Sequence, residues 1–181
     1  MTVLLSGGAK NGKSGLAQEI ALALANGGKH YYVATMIPCD EEDYARIRRH
    51  LAEREGMGFE TLECGTDILS CLEKGDPKGT FLLDSVTALF LNELYPDHTT
   101  WEPDETAAKR CAEELCKLTA SVGNAVFVSD AIYADAAHYD DFTELYRKGL
   151  ALIDCALASV CDTVIELSAG NRIVHKGRWP L

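Results

Sequence analysis

Met1-Thr2-Val3-Leu4-Leu5-Ser6-Gly7-Gly8-Ala9-Lys10-Asn11-Gly12-Lys13-Ser14-Gly15-Leu16-Ala17 is the stretch that decides the fold. Val3–Leu5 is a short apolar run of strand type. It feeds directly into Gly7-Gly8-Ala9-Lys10-Asn11-Gly12-Lys13-Ser14, which satisfies G-x-x-x-x-G-K-[ST]. Helix formers follow from Leu16 to Ile20. A glycine-rich turn between a strand and a helix directs backbone N–H groups and a helix N-terminus at one point, a natural seat for polyphosphate. In that seat Lys13 reaches the β- and γ-phosphates and the Ser14 hydroxyl ligates Mg²⁺. The same residues could also form a strand–helix turn that holds no ligand.

Outward from this loop, strand and helix patterns alternate. Residues 13–25 read as a helix stopped by Asn26-Gly27-Gly28, and His30–Thr35 as the second strand. Residues 40–55 are highly charged and predicted helical, Phe59–Glu63 is extended, and Thr66–Glu73 is a small helix. Asp76–Gly79 is a turn before the buried strand Thr80–Asp84. An apolar helix spans 86–94, a polar loop carrying His98 spans 95–104, and an amphipathic helix spans 104–121. The strand Ala125–Ser129, a long helix over 139–161 and a hairpin of Thr163–Leu167 with Arg172–His175 complete the chain. Apolar strands separated by helices predict an α/β fold of the P-loop NTPase type. Its sheet is mainly parallel, with helices on both faces and a C-terminal β-hairpin. Ligands of such sheets bind beyond the strand C-termini, which places the phosphate loop, Thr35, Asp84 and Asp130 along one edge.

Composition narrows the class further. A chain of 181 residues, 47% hydrophobic, suits one domain over residues 1–181 with a real core. The formal net charge of −11 argues against a general nucleic-acid or anionic-membrane surface. No apolar run approaches the ~20 residues of a membrane span. The seven cysteines form no C-x-x-C pair and offer no zinc-type spacing. They read as reduced, buried thiols of a cytoplasmic protein.

Two further features carry chemistry. Asp84 ends the strand Phe81-Leu82-Leu83, where an acid holds Mg²⁺ directly or through water in phosphate-loop enzymes. It could equally cap the helix that follows. Asp130, after Val126–Ser129, is a rival that could orient a substrate hydroxyl. Between Asp40 and Arg54, four leading acids give way to four arginines around His50. Arg46, His50 and Arg54 lie at i, i+4 and i+8 and share one helical face. A solvated helix with dipole-matched charge explains this pattern. So does a phosphate-handling face, in which arginines hold phosphate oxygens and a neutral imidazole attacks phosphorus.

Taken together, these residues resemble the bifunctional adenosylcobinamide kinase / adenosylcobinamide-phosphate guanylyltransferase family of cobalamin biosynthesis. The matching elements are Gly7–Ser14, Tyr32-Val33-Ala34-Thr35, Asp40-Glu41-Glu42, Arg46-Ile47-Arg48-Arg49-His50, Phe59–Glu63, Asp84-Ser85-Val86-Thr87 and Asn92-Glu93-Leu94. The resemblance implies phosphorylation of the cobinamide hydroxyl by ATP or GTP. It also implies a guanylyl-histidine at His50 that passes GMP to the cobinamide phosphate. Carried over by position, Gly7, Gly8, Ala9, Lys10, Asn11, Gly12, Lys13, Ser14, Thr35, Arg46 and Glu63 bind nucleotide. Ser14 and Asp84 hold Mg²⁺, and His50, Lys13 and Asp84 are catalytic. The family's common assembly is a homotrimer. The second half departs from the pattern: Ser129-Asp130-Ala131-Ile132 stands where the family has Asn-Glu-Val-Gly, Asp154-Cys155 where it has Asn-Gln, and Leu51 where an arginine follows the histidine. All three readings keep the phosphate loop: this bifunctional enzyme, a kinase for another small hydroxyl substrate, and a nucleotide-binding regulatory protein.

Overall fold

The computed structural model describes residues 1–97, 99–133 and 135–181; His98 and Ala134 lie outside the described residues. In chain order the elements are β1 (Thr2–Gly7), α1 (Lys13–Ala25), β2 (His30–Ala34), α2 (Glu41–Glu53), β3 (Glu60–Glu63) and α3 (Cys71–Lys74). They continue as β4 (Thr80–Asp84), α4 (Val86–Leu94), α5 (Ala107–Ser121), β5 (Asn124–Val128), α6 (Asp141–Val160), β6 (Thr163–Ser168) and β7 (Asn171–Lys176). Among the described residues the strands form one sheet in the order β3-β2-β4-β5-β1-β6-β7. All pairings are parallel except β6 with β7, which form the C-terminal hairpin.

Strand residues alternate between two apolar layers, as the period-2 geometry of a strand demands. Val3, Leu5, Leu82, Val126 and Ile165 meet Leu16, Ala17 and Ile20 of α1 on one face. Leu4, Val33, Phe81, Leu83 and Phe127 meet α4, α5 and α6 on the other. Both faces being covered explains why the inner strands read as continuous apolar runs. α2 differs from its neighbours, because none of its side chains is buried.

Local chemistry sets the helix ends. Asp40, Ser85 and Asp140 cap α2, α4 and α6 by accepting from the backbone N–H three residues on. The region read as a helix over 66–73 is a 3₁₀ turn at Ile68–Ser70 followed by the four residues of α3. The helix read from 104 starts at Ala107. Asp104 instead accepts from the N–H and hydroxyl of Thr106 and pairs with Arg110 at 2.7 Å, folding a polar turn before α5. Four of the seven cysteines are buried and none is disulfide-bonded. Burial pushes the Cys71, Cys111 and Cys161 thiols up to about 12, so they behave as inert core groups. Among the described residues no helix is long and apolar enough to cross a membrane.

α6 crosses α4 closely at Gly149, where an added Cβ would strike the ring of Phe90 and also meet Ala108 on α5. Overpacking a filled core costs about 1–3 kcal/mol. Gly149→Ala is therefore expected to lower the unfolding free energy by that much and so to lower the urea midpoint, despite alanine's better helix propensity. An unchanged or raised midpoint would show that the helices have room to separate.

Candidate functional site

Six strands run the same way, so their C-terminal ends share one edge. Register aligns Ala34 with both Glu63 and Asp84, Asp84 with Val128, and Leu5 with Val128. Thr35, Asp84, Asp130 and the phosphate loop are thereby gathered along that edge, as the sequence predicts.

The loop turns at two glycines. Gly7 has φ +148°, and a Cβ there would collide with the Leu167 carbonyl and the Asn11 amide. Gly12 has φ +89° and starts α1. α1 has neither a side-chain cap nor an acid in its first turn, in contrast to α2 and α6. Its first N–H groups and the positive end of its dipole are directed at the loop, the arrangement that binds anions. Lys13 is 5% exposed. Its ammonium donates to Gly7 O at 3.0 Å, Gly8 O at 2.7 Å and Asn11 Oδ1 at 3.4 Å. It also forms an ion pair with Asp130 Oδ1 at 2.7 Å. Asp130 thus serves as the counter-ion of the loop lysine. Asn11 Nδ2 donates to Leu167 O at 2.6 Å and ties the loop to β6.

A second node forms around Asp84. Tyr32 donates its hydroxyl to Asp84 Oδ2 at 2.9 Å, and burial together with that carboxylate drives the phenol pKa far above its ordinary value. Thr35 is fully buried. Its hydroxyl donates to Ser85 O and accepts from Ser85 N, both at 2.7 Å, so it fixes the backbone that carries Asp84. Asn92 holds Thr35 O and Gly65 O, both at 2.8 Å. Glu63, at the end of β3, is exposed.

The charged face of α2 divides. Arg46 is exposed and His50 half-buried. The His50 ring is 28% exposed, and its Nδ1 is shielded from solvent 3.5 Å from Glu53 Oε2, without hydrogen-bond geometry. Arg54, read from spacing as part of the same face, is only 7% exposed. It lies over the Tyr32 ring at 3.5 Å and contacts Thr61 Oγ1 at 3.4 Å. The helix ends one residue before Arg54, which lets the guanidinium drop onto the sheet as a cation–π anchor. Arg54, Tyr32 and Asp84 therefore form a chain from α2 to the strand edge.

Spacing alone does not signal two other groups. Arg147 is buried and binds the carbonyls of Ile132 and Ala137 together with Asp135 and Glu144, clamping the segment after Asp130. Asp154 is 5% exposed and accepts from Ser129 Oγ at 2.9 Å and Tyr133 OH at 2.7 Å, while its Oδ1 has no hydrogen-bond partner among the described residues. Burial pushes its carboxyl up to about 6.

The fold and this edge define a phosphate-loop α/β protein. The solved structures it resembles agree: the flagellar accessory protein FlaH of Methanocaldococcus jannaschii (TM-score 0.55, 15% identity, 99% of this chain and 79% of that one) and the KaiC-like protein PH0186 of Pyrococcus horikoshii (TM-score 0.50, 15% identity, 98% and 79%). At that identity they speak for the fold alone. A family model described as cobinamide kinase / cobinamide phosphate guanyltransferase matches residues 3–174. The chain belongs to that family. It is 28% identical to the bifunctional adenosylcobalamin biosynthesis protein CobP of Pseudomonas aeruginosa, over 98% of each chain. It is 27% identical to the corresponding CobU of Salmonella typhimurium, covering 83% of this chain and 90% of the relative.

The raised Asp154 carboxyl makes stability depend on pH. A group whose folded pKa exceeds its unfolded value binds more protons when folded, so stability falls as pH rises from about 4 through about 6. Moving a carboxyl from 3.8 to about 6 corresponds to about 3 kcal/mol. We expect Asp154→Asn to flatten the profile of melting temperature between pH 4 and 7. Parallel profiles for the two proteins would assign the slope to other groups.

Proposed function

We propose that the chain phosphorylates the hydroxyl of adenosylcobinamide and then transfers GMP from GTP to the resulting phosphate. What carries this reading is the pairing, in a member of this family, of a phosphate loop at the uncapped end of α1 with an imidazole on α2. In the first reaction, Lys13 and the α1 N–H groups hold the β- and γ-phosphates. The substrate hydroxyl oxygen attacks the γ-phosphorus, the bond to the β–γ bridging oxygen breaks, and the hydroxyl proton is lost to solvent or a carboxylate. Ser14 and Asp84 offer a hydroxyl and a carboxylate oxygen, the hard donor set that suits Mg²⁺ alongside phosphate and water ligands. The second Asp84 oxygen accepts from Tyr32, which orients the carboxylate. When bound, Mg²⁺ neutralises charge developing on the phosphates. Thr35 acts through Ser85 by fixing that acid's backbone.

In the second reaction, His50 attacks the α-phosphorus of GTP. A nitrogen–phosphorus bond forms, the bond to the α–β bridging oxygen breaks, and pyrophosphate leaves. An oxygen of the cobinamide phosphate then attacks the same phosphorus, forming the diphosphate link and freeing the imidazole. Nδ1 faces Glu53, so Nε2 is the attacking nitrogen. Exposed Arg46, one turn before His50, and Glu63 at the neighbouring strand end are assigned to the nucleotide. The exposed Tyr44 and Leu51 on α2, with Ile37 and Met57 flanking it, support assembly of the chain with copies of itself, as a trimer in this reading.

Incubation with α-³²P-GTP and Mg²⁺ followed by denaturation is expected to leave acid-labile, base-stable label on the protein. His50→Ala is expected to remove at least ~99% of it, because the nitrogen–phosphorus bond cannot form without the nucleophile. Phosphoryl transfer from γ-labelled nucleotide to cobinamide with no protein labelling would reduce the activity to that of a kinase. Nucleotide binding with neither outcome would leave a binding protein.

A further inference from the structure

A cleft of about 240 Å³ opens beside the phosphate loop, between the first turns of α1 and the β6–β7 turn. Asn11, Gly12, Gly15 and Glu19 line one wall, and Asn171 and Arg172 the other. The Asn11–Leu167 hydrogen bond of 2.6 Å fixes one wall against the other. We propose that this cleft seats the nucleoside of the phosphoryl donor, a purine nucleoside triphosphate. The proposal rests on the phosphoryl-transfer reading above and adds the place where the rest of the donor lies.

Three observations carry it. The cleft shares Asn11 and Gly12 with the phosphate loop, so a nucleoside reaches it directly from phosphates held at the α1 N-terminus. Its walls offer what a nucleoside needs. Gly15 is open, since an added Cβ meets no atom within 4 Å, and Glu19 lies one turn further along the same helix face. The Glu19 carboxylate accepts from ribose hydroxyls or a base amino group, and no ion pair or hydrogen bond holds it among the described residues. The Arg172 guanidinium, 5.3 Å from the Trp179 ring centroid, presents a planar cation of the kind that stacks on bases. The volume is below the roughly 300–1,000 Å³ of pockets that enclose drug-sized ligands, so the cleft is too small for a corrinoid and would hold a nucleoside with one side open to solvent.

Sheet order adds a consequence. The cleft is on the β6 side of β1, whereas α2 follows β2, which is separated from β1 by β5 and β4 on the other side. With its nucleoside in this cleft, a triphosphate turns its α-phosphate away from the side that carries His50. Guanylyl transfer therefore takes the opposite orientation and leaves the cleft unused.

Gly15→Leu and Glu19→Ala test the seat. ATP is the probe because it carries no GMP and cannot guanylylate His50, so its binding is read apart from the second reaction. By calorimetry, Gly15→Leu is expected to weaken ATP at least about ten-fold, and Glu19→Ala by a smaller factor. Affinity for inorganic tripolyphosphate is expected to stay within about two-fold, and α-³²P-GTP labelling of His50 to be retained. Unchanged ATP affinity in both variants overturns the seat. Parallel weakening of ATP and tripolyphosphate overturns it too, as does loss of His50 labelling in step with ATP. A wild-type protein that binds ATP through this cleft yet transfers no phosphoryl group would overturn the kinase reading and leave the seat standing.

Discussion

A buried ammonium cannot be left uncompensated, and Lys13 is the group on which the site depends. Removing a charge from water costs several kcal/mol unless partners surround it. Here the partners come from two elements: the Gly7 and Gly8 carbonyls at the end of β1, and Asp130 just beyond β5. Those groups meet only because β1 and β5 are parallel neighbours in a fixed register. A slip of one residue would turn Val3 and Leu5 to the wrong layer and move Asp130 off the lysine. The apolar pattern of the strands and the charge pairing at their ends therefore enforce the same alignment.

The same logic extends along the edge. β2 and β4 bring Tyr32 beneath Asp84, and Tyr32 in turn receives Arg54 from the end of α2. A helix with no buried side chain is thus anchored through one guanidinium to the acid proposed to face the metal. The nucleophile candidate His50 sits one turn before that anchor. Chemistry at the α-phosphorus and chemistry at the γ-phosphorus would then share one sheet edge while using different flanks of one loop.

Much of this was legible in the residues. The loop reads directly because glycine, lysine and serine are each required for a stated reason. The inner strands read well because burial on both faces leaves continuous apolar runs. The partners were less visible. Asp130 could be read as a substrate-orienting acid, because spacing does not encode which strands become neighbours. Arg54 fitted a helical face with Arg46 and His50, but the helix ends at Glu53 and the side chain drops onto Tyr32. The trio of Asp154, Ser129 and Tyr133 joins a helix to a strand end and its loop, and no local period marks it. The helices expected from 104 and 66 begin later, because Asp104 and Asp67 favour turns over regular helix.

One loop is proposed to hold the phosphates for every reaction of the chain. Titration of inorganic tripolyphosphate into Lys13→Met tests it most directly, because the ligand has no nucleoside to bind elsewhere. Loss of measurable binding is expected, in a protein that still unfolds cooperatively. Affinity equal to wild type would contradict it.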